Sequence, residues 1–199
     1  MRGYYFITDA GLSRSGNISD VKAALAAKVE IVQYRDKHKD TKELFIEALK
    51  LRAICQRIKF LINDRVDIAL AVEADGVHLG REDLSYRVAR RLLGKKRIIG
   101  LTVHNIKEAL AAEEEGADYI GVSPVFATLT KFDAGRPCGT GLIRMIKKRV
   151  SLPIVAIGGI DLLNGGEVVR AGADCICAVS AVVAKRDVKR EIERFQELF

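Results

Sequence analysis

Residues 97–123 read RIIGLTVHNIKEALAAEEEGADYIGVS. The stretch opens on a short apolar run with β-branched residues, RIIGLT (97–102), and ends on another, DYIGVS (118–123). Between them NIKEALAAEEEGA (105–117) has helical spacing. Asn105 is a good residue to cap its start, and Gly116 a good one to end it in a left-handed turn. Strand, helix, strand in so short a span is the unit from which parallel sheets are built.

Working outward, the same alternation fills the chain. Further short apolar runs stand at YYFIT (4–8), EIVQYR (30–35), KFLIN (59–63), GVHLG (76–80), PIVAIG (153–158) and CICAVS (175–180). Parallel strands buried on both faces need such runs. KELFIEALKLRAICQRI (42–58) places Leu44, Ala48, Leu51 and Cys55 on one helical stripe. Eight repeats imply an α/β fold, a (β/α)8 TIM barrel, in a single compact domain over 1–199; a doubly wound open sheet is the alternative.

Composition agrees with a globular protein: 199 residues, 49% hydrophobic, 30% charged. No apolar run approaches the ~20 residues that span a bilayer, so no membrane partner is expected. No signal peptide is visible before the first strand, and the expected location is cytoplasmic. The net charge of +7 suits either an anionic partner or a solvated lysine-rich surface. GKKR (94–97) and IKKR (146–149) fall at helix ends, where they complement the helix dipole. No basic patch is interleaved with aromatics, which argues against nucleic acid. Cys55, Cys138, Cys175 and Cys177 form neither a CxxC pair nor a zinc spacing with His. Cys175 and Cys177 share one strand face and read as core. Few Asn and Gln beside many Lys, Arg and Glu hint at a thermophilic source. A homo-oligomer is compatible with all of this.

In a barrel, chemistry belongs to the loops after the strands' C-terminal ends. The unusual polar residues collect there: Gln33, Arg35 and Lys37, then Asn63 and Asp64, Asp83, Thr102 and His104, Gly158 and Gly159, and Ser180. AIGGID (156–161) and VSA (179–181) suit a phosphate site built of backbone N–H groups and a short helix start, although Gly-Gly could be only a tight turn. Between DYIGV and the helical run LIRMIKKRV lies the long segment SPVFATLTKFDAGRPCGTG (123–141), whose length suits a lid. Its Thr128 and Thr130 offer hydroxyls to the same phosphate. Asp64 and Asp83 are spaced to share Mg2+ with phosphate oxygens and water, beside Lys37 and Lys131; alternatively each is an N-cap. In QYRDK (33–37) alternation turns Gln33, Arg35 and Lys37 to one face and Asp36 to the other. Two cations aimed into a mouth call for an anion. His78 and His104 are either structural or direct participants. Cys138 could be a nucleophile, but no base flanks it. Two anion sites in one mouth, with no acid/base dyad, fit the joining of two phosphorylated molecules with loss of pyrophosphate.

Taken in order, YYFITD, VQYRDK, LINDR, GVHLGREDL, IIGLTVHN, GADYIGVSPVFATLTK, PIVAIGGI and AGAD followed by AVSAV make the chain closely resemble the thiamine phosphate synthase family over nearly its whole length. The resemblance implies a (β/α)8 barrel that uses Mg2+. It implies condensation of 4-amino-2-methyl-5-(diphosphooxymethyl)pyrimidine with 4-methyl-5-(2-phosphooxyethyl)thiazole to thiamine phosphate and pyrophosphate. It further implies that Gln33, Tyr34, Arg35, Asp36, Lys37, Asn63, Thr102 and Lys131 serve the pyrimidine pyrophosphate, and that Asp64 and Asp83 carry the metal. Thr128, Leu129, Thr130, Gly159, Val179 and Ser180, with Gly158 beside them, would take the thiazole phosphate. The family's C–O bond breaks early to give a methylene cation, which agrees with the missing nucleophile. Thr102 stands where the family usually has Ser, and Ala127 and Leu129 where it usually has Pro. The segment FDAGRPCGTG is unusual as well. The rivals are a thiazole tautomerase on the same barrel, which would not need QYRDK, Asp64, Asp83 and Lys131 together, a non-enzymatic regulator sensing thiamine phosphate, and a sugar-phosphate isomerase, which would want an acid/base pair.

Overall fold

A computed structural model describes residues 1–128, 130 and 135–199. Its strands are β1 (Gly3–Tyr4), β2 (Phe6–Ile7), β3 (Ile31–Tyr34), β4 (Lys59–Asn63), β5 (Gly76–Leu79), β6 (Ile98–Val103), β7 (Tyr119–Val122), β8 (Ile154–Ile157) and β9 (Cys175–Cys177). Every neighbouring pair is parallel, in the order β1-β9-β8-β7-β6-β5-β4-β3-β2. All eight expected runs become strands, and the first divides at Tyr5. Gly3 pairs with Cys175 on one side, and Phe6 with Val32 on the other. The two ends of the sheet are therefore one stretch of chain, and the barrel closes.

Strand parity sorts the core into two layers. Tyr5, Ile7, Ile31, Leu61, Tyr119, Val155, Cys175 and Cys177 pack inside the barrel. The alternate residues, among them Phe6, Val32, Phe60, Ile62, Ile99 and Ile120, pack outward against the helices. Burying each such side chain stabilises by about 1.5–3 kcal/mol. As the alternation demands, Cys175 and Cys177 share the inner face. Higher in the barrel the inward positions turn polar, at Gln33, Asn63, His78 and Thr102, and this change marks the mouth.

The helices are α1 (Asn17–Ala26), α2 (Thr41–Ile54), α3 (Val66–Ala71), α4 (Tyr86–Leu93), α5 (Ile106–Glu115), α6 (Gly139–Lys147), α7 (Gly165–Arg170), α8 (Val179–Val183) and α9 (Val188–Gln196). Asp40 caps α2 in a reciprocal box with Glu43, and Leu44, Ala48 and Leu51 form its buried stripe. On α5 the Asn105 side chain accepts from Glu108 N at 3.0 Å, and Gly116 closes the helix at φ 90°. Gly94 ends α4, where Arg97 donates to the carbonyls of Leu93 and Ala74 at 3.3 and 3.2 Å. Among the described residues no helix is long and apolar enough to cross a membrane.

Three boundaries differ from expectation, each for a local reason. β3 ends at Tyr34, because Arg35 onward is held by side chains rather than by a ladder. The run at 175–180 stops at Cys177, and Val179 and Ser180 open α8 instead. Helix α6 begins at Gly139, so the segment after β7 is shorter than 123–141. Outside the barrel, Glu47 on α2 accepts from Tyr34 OH at 2.7 Å, from Asn17 Nδ2 at 3.0 Å and from Lys39. Burial pushes its carboxyl up, but these donors outweigh burial and hold it below the usual range.

Candidate active site

At the C-terminal end of the strands a cavity of about 740 Å³ opens, with Gln33, Arg35, Lys37, Asn63, Asp64 and Asp83 among its walls. Two hydrogen bonds to one hydroxyl pin the start of the QYRDK turn. Thr8 Oγ1 accepts from Arg35 N at 2.8 Å and donates to Arg35 O at 3.0 Å. The Arg35 guanidinium then pairs with Asp9 at 3.2 Å, while the other Asp9 oxygen accepts from Gly11 N and Leu12 N. Lys37 reaches across to Asp64. Tyr34 and Asp36 do not join this wall. Tyr34 is buried on the outer strand face against α2, with its hydroxyl on Glu47. Asp36 accepts from His38 N at 2.9 Å and Lys39 N at 3.2 Å and pairs with Lys39, which holds it below the usual carboxylate range against the opposing effect of burial.

The two remaining carboxylates meet at the ends of β4 and β5. Asp64 N donates to His78 O at 2.8 Å, and the residue sits at φ 62°. That left-handed conformation is unusual outside glycine, although Asp tolerates it better than most. Asp83 accepts from Gly80 N at 2.7 Å. Burial first, and then the adjacent Asp64 carboxyl, push Asp83 up to about 6; Gly80 N–H and Lys37 oppose the shift. Neither aspartate caps a helix, since α3 is capped at Arg65 and α4 at Ser85. The N-cap alternative therefore falls away, leaving two like charges side by side in a mouth. Among the described residues no three His, Cys, Asp or Glu cluster as a metal site. Two hard carboxylate oxygens, with water and phosphate oxygens completing the shell, nonetheless fit what Mg2+ accepts.

On the cavity floor His78 Nδ1 lies 2.8 Å from Tyr119 OH, and its Nε2 lies 2.8 Å from Thr102 Oγ1. His104, at the edge, is anchored from both ends: Nδ1 donates to Ser123 O at 2.6 Å, and its backbone N–H donates to Glu108 at 2.6 Å. Tyr5, Tyr119, Thr8 and Asp9 escaped the sequence reading. The two tyrosines sit in apolar runs and look like packing. The signal was in glycines: a Cβ at Gly100 would lie 2.0 Å from the Tyr119 ring, and one at Gly121 would lie 3.0 Å from His78. Asp9 follows the first strand, just as the other rim residues follow theirs.

A second, smaller cavity lies toward β8 and β9, walled by Thr128, Thr130, Gly158, Gly159, Val179 and Ser180. Tyr4 OH donates to Ala178 O at 3.1 Å and fixes the start of α8, whose first N–H groups have no partner within the helix. Gly158 and Gly159 stand at φ 104° and 61°. A Cβ on Gly159 would lie 2.3 Å from Ala127 O, and one on Gly158 2.7 Å from Pro124. The pair therefore seats the stem of the 123–128 segment as well as lining the cavity. Leu129 and Lys131 lie outside the described residues. Burial pushes the Cys138 thiol up, which disfavours it as a nucleophile.

The two cavities adjoin, sharing Ile7, Arg35, Ser123, Thr130 and Ile157 in their walls. One mouth thus holds two cavities of different construction.

The family model for thiamine monophosphate synthase matches residues 4–182. The thiamine-phosphate synthase of Methanosarcina barkeri is 50% identical over 98% of this chain and 89% of its own length. That of Chloroflexus aurantiacus is 49% identical, over 98% of this chain and 91% of its own. Among solved structures, thiamine phosphate pyrophosphorylase from Pyrococcus furiosus superposes with a TM-score of 0.90 at 39% identity, covering 98% of this chain and 94% of that one.

Proposed function

The chain belongs to the thiamine monophosphate synthase family, and from that premise we propose how its mouth performs the reaction. The protein is a transferase of thiamine biosynthesis that condenses a pyrimidine with a thiazole. The observation that carries the residue assignment is that the two cavities adjoin, with Arg35 and Thr130 in the walls of both. A diphosphate held on one side and a monophosphate held on the other bring the reacting carbon and nitrogen together between them.

The pyrimidine diphosphate takes the larger cavity. Arg35, Lys37, Asn63 and Thr102 direct donors at its diphosphate, and Asp9 keeps Arg35 in place. Lys131, on the segment above, adds a further cation in this assignment. Asp64 and Asp83 would hold Mg2+. When bound, the ion neutralises charge on the departing diphosphate. The bond from the methylene carbon to the diphosphate oxygen breaks, and both electrons leave with the oxygen. The thiazole nitrogen then gives its lone pair to that carbon, forming the C–N bond of a thiazolium. No proton leaves the nitrogen, so no base is required. Thr128, Thr130, Gly159, Val179 and Ser180 hold the thiazole phosphate as a handle. Four free cysteines, three of them buried, suit the reducing cytoplasm.

Purified protein mixed with both precursors is expected to form thiamine phosphate and pyrophosphate with Mg2+ and to stall in EDTA. Absence of product with Mg2+ would reject the activity, whereas brisk turnover in EDTA would reject only the metal assignment.

A further inference from the structure

An unbroken series of hydrogen bonds crosses the barrel floor. Gln33 Nε2 donates to Tyr5 OH at 2.9 Å. The Tyr5 and Tyr119 hydroxyls are 2.8 Å apart. Tyr119 OH meets His78 Nδ1, and His78 Nε2 meets Thr102 Oγ1, both at 2.8 Å. Gln33, Tyr5 and Tyr119 are 2%, 1% and 2% exposed, so bulk water does not complete their bonding. Gly100 and Gly121 make room for the Tyr119 and His78 rings, which marks the arrangement as built into the fold.

Counting protons gives the series a direction. A phenol has one proton to donate. Tyr5 accepts from the Gln33 amide, so its own proton goes to Tyr119. Having accepted, Tyr119 gives its proton to His78 Nδ1. The imidazole therefore carries its proton on Nε2 and donates it to Thr102 Oγ1. Thr102, its oxygen already satisfied from below, has its hydroxyl proton left for the mouth. A mixed direction would leave one buried phenolic proton without an acceptor, which costs about 1–3 kcal/mol. Only the opposite orientation of the Gln33 amide would reverse the whole series.

We infer that Gln33, Tyr5, Tyr119 and His78 form a one-way hydrogen-bond relay that fixes His78 as its Nε2–H tautomer and makes Thr102 an outward donor for an anion. No bond is made or broken; the relay sets orientation in advance, and His78 is a positioning residue. The anion as diphosphate rests on the proposed function, whereas the tautomer does not.

The test reads both parts separately. Nitrogen-15 NMR of the ligand-free protein should show His78 protonated at Nε2 and bare at Nδ1. Gln33→Glu, whose carboxylate accepts from Tyr5, should move the proton to Nδ1. Tyr5→Phe adds no charge, and should instead leave the two tautomers mixed. Binding of inorganic pyrophosphate with Mg2+, measured by calorimetry, should weaken about twofold in Tyr5→Phe, because about half of an evenly mixed population still presents the Thr102 proton. In a Thr102→Val background Tyr5→Phe should weaken it no further. A native Nδ1–H or mixed tautomer overturns the relay. Pyrophosphate binding that is unchanged in Tyr5→Phe, or that falls equally in the Thr102→Val background, overturns the role of Thr102. Failure to make thiamine phosphate leaves the tautomer result standing.

Discussion

On the side of β3, β4 and β5 the mouth presents charge on side chains: Arg35, Lys37, Asp64 and Asp83. On the side of β8 and β9 it presents backbone and hydroxyls: Gly158, Gly159, the start of α8, Ser180 and Thr128. The first side is electrostatically unsettled, with Asp83 raised beside Asp64 and Asp64 in an unusual backbone conformation. The second is settled, its glycines locked against Pro124 and Ala127. The contrast matches two tasks. A leaving group must be held more strongly as its charge grows, and long cationic side chains and a metal can supply that. A handle needs only to be held the same way throughout, for which fixed dipoles suffice.

The heaviest blow to this division should come from Asp64→Ala combined with Asp83→Ala. Turnover is expected to fall by at least about 10²–10³-fold, with the dependence on added Mg2+ lost. Steady-state rates across a magnesium series would show it, and a double variant that still responds to Mg2+ would break the comparison. On the quiet side, Ser180→Ala should raise KM for the thiazole phosphate about tenfold while kcat changes little, the mark of uniform binding. A fall in kcat with KM unchanged would mean that the handle also works in the transition state.

Gly159→Ala sharpens the contrast by acting on stability. A Cβ there meets Ala127 O in a left-handed backbone, so a loss of about 1–3 kcal/mol is expected in denaturant unfolding. An equal loss for Gly135→Ala, where nothing lies near the new Cβ, would implicate φ alone. The smallest effect belongs to the outer layer. Glu47 is held below the carboxylate range when folded, so its contribution is present above the unfolded value of about 4.3 and is lost as pH falls through the folded one. Glu47→Gln should therefore destabilise by about 1 kcal/mol near neutrality and by almost nothing in strong acid. Thermal melts at the two pH values would separate these.

The barrel was legible because each strand must be apolar on both faces and each helix on one. Periods of two and of about 3.6 therefore repeat along the chain. The charged rim was legible for a related reason: Lys37, Asp64 and Asp83 have no business in a core. Less visible was what holds the rim in place. Tyr5 and Tyr119 satisfy the apolar pattern, and their hydroxyls acquire direction only once closure sets them across the barrel from each other. Arg35 looked like a continuation of its strand. In the folded chain it is held by Thr8 and Asp9, which are distant in sequence. Tyr34 shows the limit of a motif read as a block, for parity sends it to the outer layer while its neighbours face the mouth.

Division of the first strand at Tyr5 has a consequence for how the protein comes into being. The bond between Tyr5 and Tyr119 joins residues 114 positions apart, and β1 must wait for β9 to pair. A nascent chain paused before Cys175 carries every charged residue of the rim but cannot close the ring that seats them. In refolding, helical signal from local units should return well before the capacity to bind pyrophosphate, which must wait for the slowest and most distant pairing in the molecule.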